Sequence, residues 1–140
     1  MSSSIRKPEP IAKPNGDKIR VLVIDDDAFL AGIYVISLKS AGIEVTTAVN
    51  GEEGIKLASA IKPDVIFLDI LMPGIDGFET IKRLKAESAV ADIPVIFLSS
   101  LAQNEDIERG KQLGAAAYLK KAQTLPVDAL DKIKEVLHLP

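Results

Sequence analysis

No cysteine occurs among the 140 residues, which excludes disulfides and thiolate metal sites and leaves the redox compartment open. The single histidine, His138, lies at the chain end without a companion metal ligand, so it is given no role. No apolar stretch approaches the roughly 20 residues needed to span a bilayer. The polar start, Met1-Ser2-Ser3-Ser4-Ile5-Arg6-Lys7-Pro8, lacks the apolar core of a secretion signal. An excess of basic charge is missing too: the net charge is −3, which gives no reason to expect direct nucleic-acid binding. Neither a Gly-x-Gly-x-x-Gly nor a Walker loop follows the first apolar run, which argues against a nucleotide-binding module. The expectation that remains is a cytoplasmic protein without membrane attachment.

What is present is ordinary in amount and distinctive in order. With 47% apolar and 26% charged residues, the composition is that of one globular domain able to bury a real core. Residues 1–18, rich in Ser, Pro, Lys and Gly without periodicity, read as a flexible tail, and 19–140 as the domain. From Ile19 onward strand and helix patterns alternate: strands at Arg20–Ile24, Ile43–Ala48, Asp64–Leu68, from Pro94, and at Ala116–Leu119. Helices are expected at Ala28–Ala41, after the N-cap Asn50 to about Ile61, at Gly77–Glu87, at Asn104–Leu113 and at Pro126–Leu137. Five strands alternating with five helices predict an α/β fold, a doubly wound parallel sheet covered on both faces.

Four of the apolar runs end in a chemically distinctive polar residue. Val21–Ile24 precedes Asp25-Asp26-Asp27, Val65–Leu68 precedes Asp69, Val95–Leu98 precedes Ser99, and Tyr118-Leu119 precedes Lys120-Lys121. In open parallel sheets ligands bind beyond the carboxyl ends of the strands, so these groups are expected to meet at one edge. Asp27 is the natural cap of the next helix, whereas Asp25 and Asp26 crowd carboxylates, one of which must raise its pKa unless a cation neutralises the group. An oxygen-lined site suits Mg²⁺ or Mn²⁺. A carboxylate beside such a cation, Asp69, can attack a phosphoryl group to form an acyl phosphate. Ser99 can donate to a phosphoryl oxygen and Lys121 can pair with another.

The ordered segments that carry these residues are Val21–Asp27, Asp69-Ile70-Leu71-Met72-Pro73-Gly74-Ile75-Asp76-Gly77, Pro94–Ser100 and Gly114–Lys121. Over about Lys18–Leu137 the chain resembles the response-regulator receiver domains of the CheY-like family. The resemblance implies a flavodoxin/CheY-like sheet of strand order 2-1-3-4-5 and a phosphorelay signalling role, a phosphoacceptor domain and not an enzyme. By it, Asp69 accepts the phosphoryl group, while Asp25, Asp26, Asp69 and the backbone carbonyl of Leu71 hold Mg²⁺. Lys121 and Ser99 bind phosphate, and Ser99 and Tyr118 form the switch. A histidine kinase or histidine phosphotransfer protein is the implied donor. A downstream protein partner is expected on the face of strands four and five and helices four and five. If the sequence is the whole protein, output is by binding that partner or by passing phosphate onward.

Two departures from the family pattern carry expectations of their own. Receivers usually place proline after the conserved lysine; Ala122 stands there, so a trans loop and an altered start of the last helix are expected. Leu71 and Leu101, two residues beyond Asp69 and Ser99, cannot orient an attacking water, which predicts a long-lived phosphorylated form. The alternative reading, a Mg²⁺-dependent aspartate phosphohydrolase, normally needs a second aspartate two residues after the nucleophile, where this chain has Leu71.

Overall fold

The computed structural model describes residues 10–101 and 103–140. The strands are β1 (Arg20–Ile24), β2 (Glu44–Ala48), β3 (Val65–Leu68), β4 (Val95–Ser99) and β5 (Ala117–Lys120). The helices are α1 (Ala28–Ser40), α2 (Gly51–Ile61), α3 (Gly77–Ala86), α4 (Asn104–Gln112) and α5 (Pro126–Val136), with a 3₁₀ turn at Lys121–Gln123. All strand pairs are parallel, in the order β2-β1-β3-β4-β5. The expected sheet and its helices are therefore present. β5 starts and ends one residue later than the sequence pattern suggests, because the ladder runs on to pair Ser99 with Lys120.

Alternate residues of the central strands face opposite layers, as the pleat requires. Val21, Val23, Phe67, Ile96 and Leu98 join Ala31 and Leu38 of α1 and Ala129, Leu130 and Ile133 of α5. Leu22, Ile24, Ile66, Leu68, Val95 and Phe97 join Ala58 of α2 and Phe78, Ile81 and Leu84 of α3. Because β1, β3 and β4 are buried on both faces, they are continuous apolar runs and their polar residues fall at the ends. The helix α4 is held shallowly; Gly110 is its buried residue, against the Phe97 ring, and Arg109 lies 4.2 Å over the Phe78 ring.

Side chains fix the helix starts that border the site. Asp27, Asn50 and Asp76 accept the amides of Leu30, Glu53 and Glu79 at 3.0, 2.8 and 2.8 Å. Of the stretch read as a tail, residues 1–9 lie outside the described residues. The remainder is tied to the domain: the Ile11 amide donates to the Ala41 carbonyl at 3.0 Å, and Lys13 bridges Asp64 at 3.0 Å. Ile11 also packs against the α1/α5 layer, which is the physical reason that this part does not behave as a free tail.

The loop after β3 is pulled inward by Ile70 and Met72, both buried, and returns to the sheet at Gly77, whose amide donates to the Ile70 carbonyl at 2.8 Å. A Cβ at Gly77 would meet the Asp69 carbonyl oxygen and lie 2.6 Å from the Ile70 Cα, both backbone atoms that cannot step aside. We expect Gly77→Ala to destabilise the chain by about 2–3 kcal/mol in urea denaturation, since overpacking here meets main chain and not a flexible side chain. An unchanged midpoint would contradict this close packing.

Candidate functional site

Parallel register delivers the site. Ile24 pairs with Leu68, so Asp25 and Asp69 leave adjacent strands side by side. Their main chains are fixed by sheet-like bonds, Asp25 N–H to the Ala48 carbonyl at 3.0 Å and Asp69 N–H to the Ile24 carbonyl at 2.9 Å. Carboxylate oxygens of Asp25, Asp26 and Asp69 all lie within 4.8 Å of one another. Asp25 and Asp69 are buried and Asp26 is exposed, so the cluster has a closed floor and an open side. Such an all-oxygen donor set is the chemistry that suits a hard divalent cation.

Lys121 crosses to this cluster from the far side of β4. Its Nζ lies 2.8 Å from Asp25 Oδ2 and 3.4 Å from Asp69 Oδ2. The neighbouring Lys120 belongs to β5 and pairs in register with Ser99. Asp25 Oδ1 accepts the Asp27 amide at 2.9 Å and Asp69 Oδ1 accepts the Ile70 amide at 2.8 Å. Among the described residues, no buried side-chain nitrogen or oxygen lacks a hydrogen-bond partner. Leu71, whose carbonyl the resemblance makes a metal ligand, carries a side chain that is 55% exposed.

Ser99 is fully buried at the end of β4, and its Oγ accepts the Leu101 amide at 3.2 Å. The Leu101 carbonyl in turn accepts the Tyr118 hydroxyl at 2.6 Å. One loop residue thus joins Ser99 to Tyr118, whose ring tilts against Phe97 with centroids 5.8 Å apart. The Lys121–Ala122 bond is trans, no cis peptide occurring among the described residues, and Lys121–Gln123 forms the 3₁₀ turn. The start of α5 is then set by the Leu125 amide, which donates to Asp128 Oδ2 at 2.7 Å.

An apolar surface beside these loops has no counterpart among the sequence-derived site residues. Phe29 and Ile36 of α1 are 80% and 69% exposed, and Leu125 and Val127 at the start of α5 are 64% and 52% exposed. Ile33 belongs to the same stripe. The signal was available: α1, Ala-Phe-Leu-Ala-Gly-Ile-Tyr-Val-Ile-Ser-Leu-Lys-Ser, is apolar nearly all round, yet one face alone can meet the sheet.

Burial first, and then the neighbouring charges, govern the electrostatics. Burial, then the charge of Asp25, pushes the Asp69 carboxyl up from 3.8 to about 6, while Lys121 and the Ile70 amide partly oppose the rise. Burial pulls the Lys121 ammonium down, but its bond to Asp25 and the charge of Asp69 outweigh this, and its net shift is upward. Lys121 therefore stays charged through the neutral range.

Three comparisons bear on this geometry. A family model described as "Response regulator receiver domain" matches residues 21–133. Protein PilH of Pseudomonas aeruginosa is 36% identical over 117 residues, which cover 84% of this chain and 93% of that protein. The DNA-binding dual master transcriptional regulator RpaA of Synechocystis is 42% identical over 102 residues, 73% of this chain but 42% of that longer protein. Among solved structures, a putative response regulator from Chloroflexus aurantiacus superposes with a TM-score of 0.82 at 30% identity, covering 87% of this chain and 99% of that one. Chemotaxis protein CheY4 of Vibrio cholerae gives 0.79 at 31% identity, covering 85% and 98%.

The Asp69 shift has a defined sign. Its folded pKa lies above the ordinary value, so the folded state holds a proton that the unfolded state has released, and stability falls as pH rises from about 4 through 6. Without divalent cations, Asp69→Asn is expected to exceed the parent in stability near pH 8 by on the order of 1–3 kcal/mol, with the gap closing by about pH 4. Urea denaturation at both ends of that range checks it. A gap that is the same at both would contradict the assignment.

Proposed function

The chain belongs to the response regulator receiver domain family, a signalling domain of two-component systems, and on that premise we propose that Asp69 is its phosphoacceptor. The observation that carries this reading is the convergence of three carboxylates and Lys121 at one sheet edge. In the transfer, an Asp69 carboxylate oxygen attacks phosphorus, the bond from phosphorus to the donor breaks, and the leaving group departs with its electron pair, taking up a proton where it is imidazole. Asp25, Asp26, Asp69 and the Leu71 carbonyl would hold Mg²⁺, or Mn²⁺ in its place. When bound, the cation supplies charge that offsets repulsion between the carboxylates and an incoming phosphate.

Lys121 is already charged and directed at Asp69, so it can exchange its carboxylate contact for a phosphoryl oxygen without a change of protonation. Ser99 supplies a hydroxyl on the β4 side. Drawing that hydroxyl toward phosphate would break its bond from the Leu101 amide and loosen the loop that also anchors Tyr118. Phosphorylation thereby shifts a pre-existing equilibrium in the β4–α4 loop, and shallow α4 is the element free to respond. The faces of α4, β5 and α5 then meet a downstream protein, without direct nucleic-acid contact.

The donor in this reading is the phosphohistidine of a histidine kinase or histidine phosphotransfer protein. The exposed apolar residues Phe29, Ile33 and Ile36 of α1, with Leu125 and Val127 at the start of α5, offer such a protein a surface to cover. No helix among the described residues is long and apolar enough to cross a membrane, and we assign the relay to the cytoplasm. Turnover as a phosphohydrolase is disfavoured because Leu71 offers no acid or base where a second carboxylate would be needed. The domain's chemistry is then its own phosphorylation and slow dephosphorylation.

Incubation with Mg²⁺ and a small phosphodonor, followed by intact mass, should give a single phosphate adduct that is lost in Asp69→Asn. Lys121→Ala should slow its formation by about tenfold or more. On withdrawal of donor the adduct should persist, and a polar residue at Leu71 should shorten its life by about tenfold. An adduct that forms equally well in Asp69→Asn would overturn the reading.

A further inference from the structure

Lys121 is directed into the acidic cluster from a weakly anchored stretch of chain. It opens a three-residue 3₁₀ turn that has no side-chain cap, and Ala122 and Gln123 are both exposed. No buried apolar side chain pins the turn from within. What closes it is Thr124, whose hydroxyl donates to the Lys120 carbonyl at 2.7 Å and whose amide reaches the Lys121 carbonyl at 3.5 Å. Besides the Lys121 ion pairs themselves, the turn is tied to α1 by Tyr34, whose hydroxyl donates to the Thr124 carbonyl at 2.8 Å across 90 positions of sequence.

We propose that Tyr34 is a positioning residue that acts through Thr124 to hold the Lys121 ammonium against Asp25 and Asp69. The inference rests on the reading of Asp69 as phosphoacceptor. The Tyr34 ring is half-buried against the α1/α5 layer and borders a cavity of only about 10 Å³ shared with Asp25, Ala31, Phe67, Leu98 and Ala129. The ring is therefore placed by packing, and its hydroxyl is directed to the Thr124 carbonyl. Burial pushes the phenol up from 10.0, with Lys121 opposing and Asp128 reinforcing, so it remains a neutral donor at physiological pH. Because α1 also carries the apolar stripe beside the site, a partner resting on α1 would bear on the same tether that sets the lysine.

Tyr34→Phe separates the hydroxyl from the ring, since packing is kept and the bond to Thr124 is lost. Thr124→Val keeps the shape of the turn and removes its bond to Lys120. Two measurements apply to each variant and the parent: modification of lysines by a small amine-reactive reagent, located by peptide mass, and the initial rate of adduct formation from a small phosphodonor with Mg²⁺. Lys85 is the internal control, half-buried on carbonyls of Ala91 and Ile93 at the opposite end of the sheet. Labelling of Lys121 should rise by about fivefold over Lys85, and adduct formation should slow by a similar factor, the scale of one lost hydrogen bond. Unchanged Lys121 labelling in both variants overturns the tether while leaving the phosphoacceptor reading standing. Raised labelling with an unchanged rate overturns the positioning role. Absence of any adduct on the parent chain overturns both readings.

Discussion

Carboxylates of Asp25, Asp26 and Asp69 held within 4.8 Å of one another repel, and the parallel register of β1 and β3 gives two of them no freedom to separate. Buried among these charges, Asp69 resists ionisation, and its pKa rises to about 6. Lys121 relieves part of that repulsion at 2.8 and 3.4 Å, and the open side at Asp26 leaves the remainder for a cation from solution. The fold thus holds strain in a place where a divalent ion and a phosphoryl group would both be welcomed, the ion by negative charge and the phosphoryl group by the ion and the lysine together.

Much of the surrounding structure bears on keeping this arrangement while letting its edges respond. The floor is rigid: strands apolar on both faces, an inward-tied loop from Ile70 to Gly77, and helix starts capped by Asp27, Asn50 and Asp76. The far side is lighter. Leu101 links Ser99 to Tyr118 through one amide and one carbonyl, and α4 rests on Gly110 and the Arg109–Phe78 contact. Few bonds must change there for the loop to find a second arrangement.

The floor was legible in the sequence because a strand buried on both faces shows as an unbroken apolar run, and its first polar residue marks the sheet edge. That logic located Asp25, Asp69 and Ser99 at strand ends, whereas the role of Lys121 came from the resemblance to the receiver family. Other features had weaker local signals or none. The tie between Tyr34 and Thr124 joins a hydroxyl to a main-chain carbonyl 90 positions away, and nothing in either segment announces the other. Ile11 docks through its own amide onto Ala41, a contact that the low complexity of residues 1–18 conceals. The exposed stripe on α1 was visible as a helix apolar on too many faces, but which face would remain uncovered depended on the packing of Ala31 and Leu38.

The central claim is that burial and the charge of Asp25 raise the Asp69 pKa to about 6, so that a cation binding near or below that pH must displace its proton. Calorimetric titration with Mg²⁺ in buffers of different ionisation enthalpy measures that proton directly. Near pH 6, where Asp69 is about half protonated, the account predicts release of roughly half a proton per bound cation, and near pH 8 almost none. Binding with no proton release near pH 6 would contradict it.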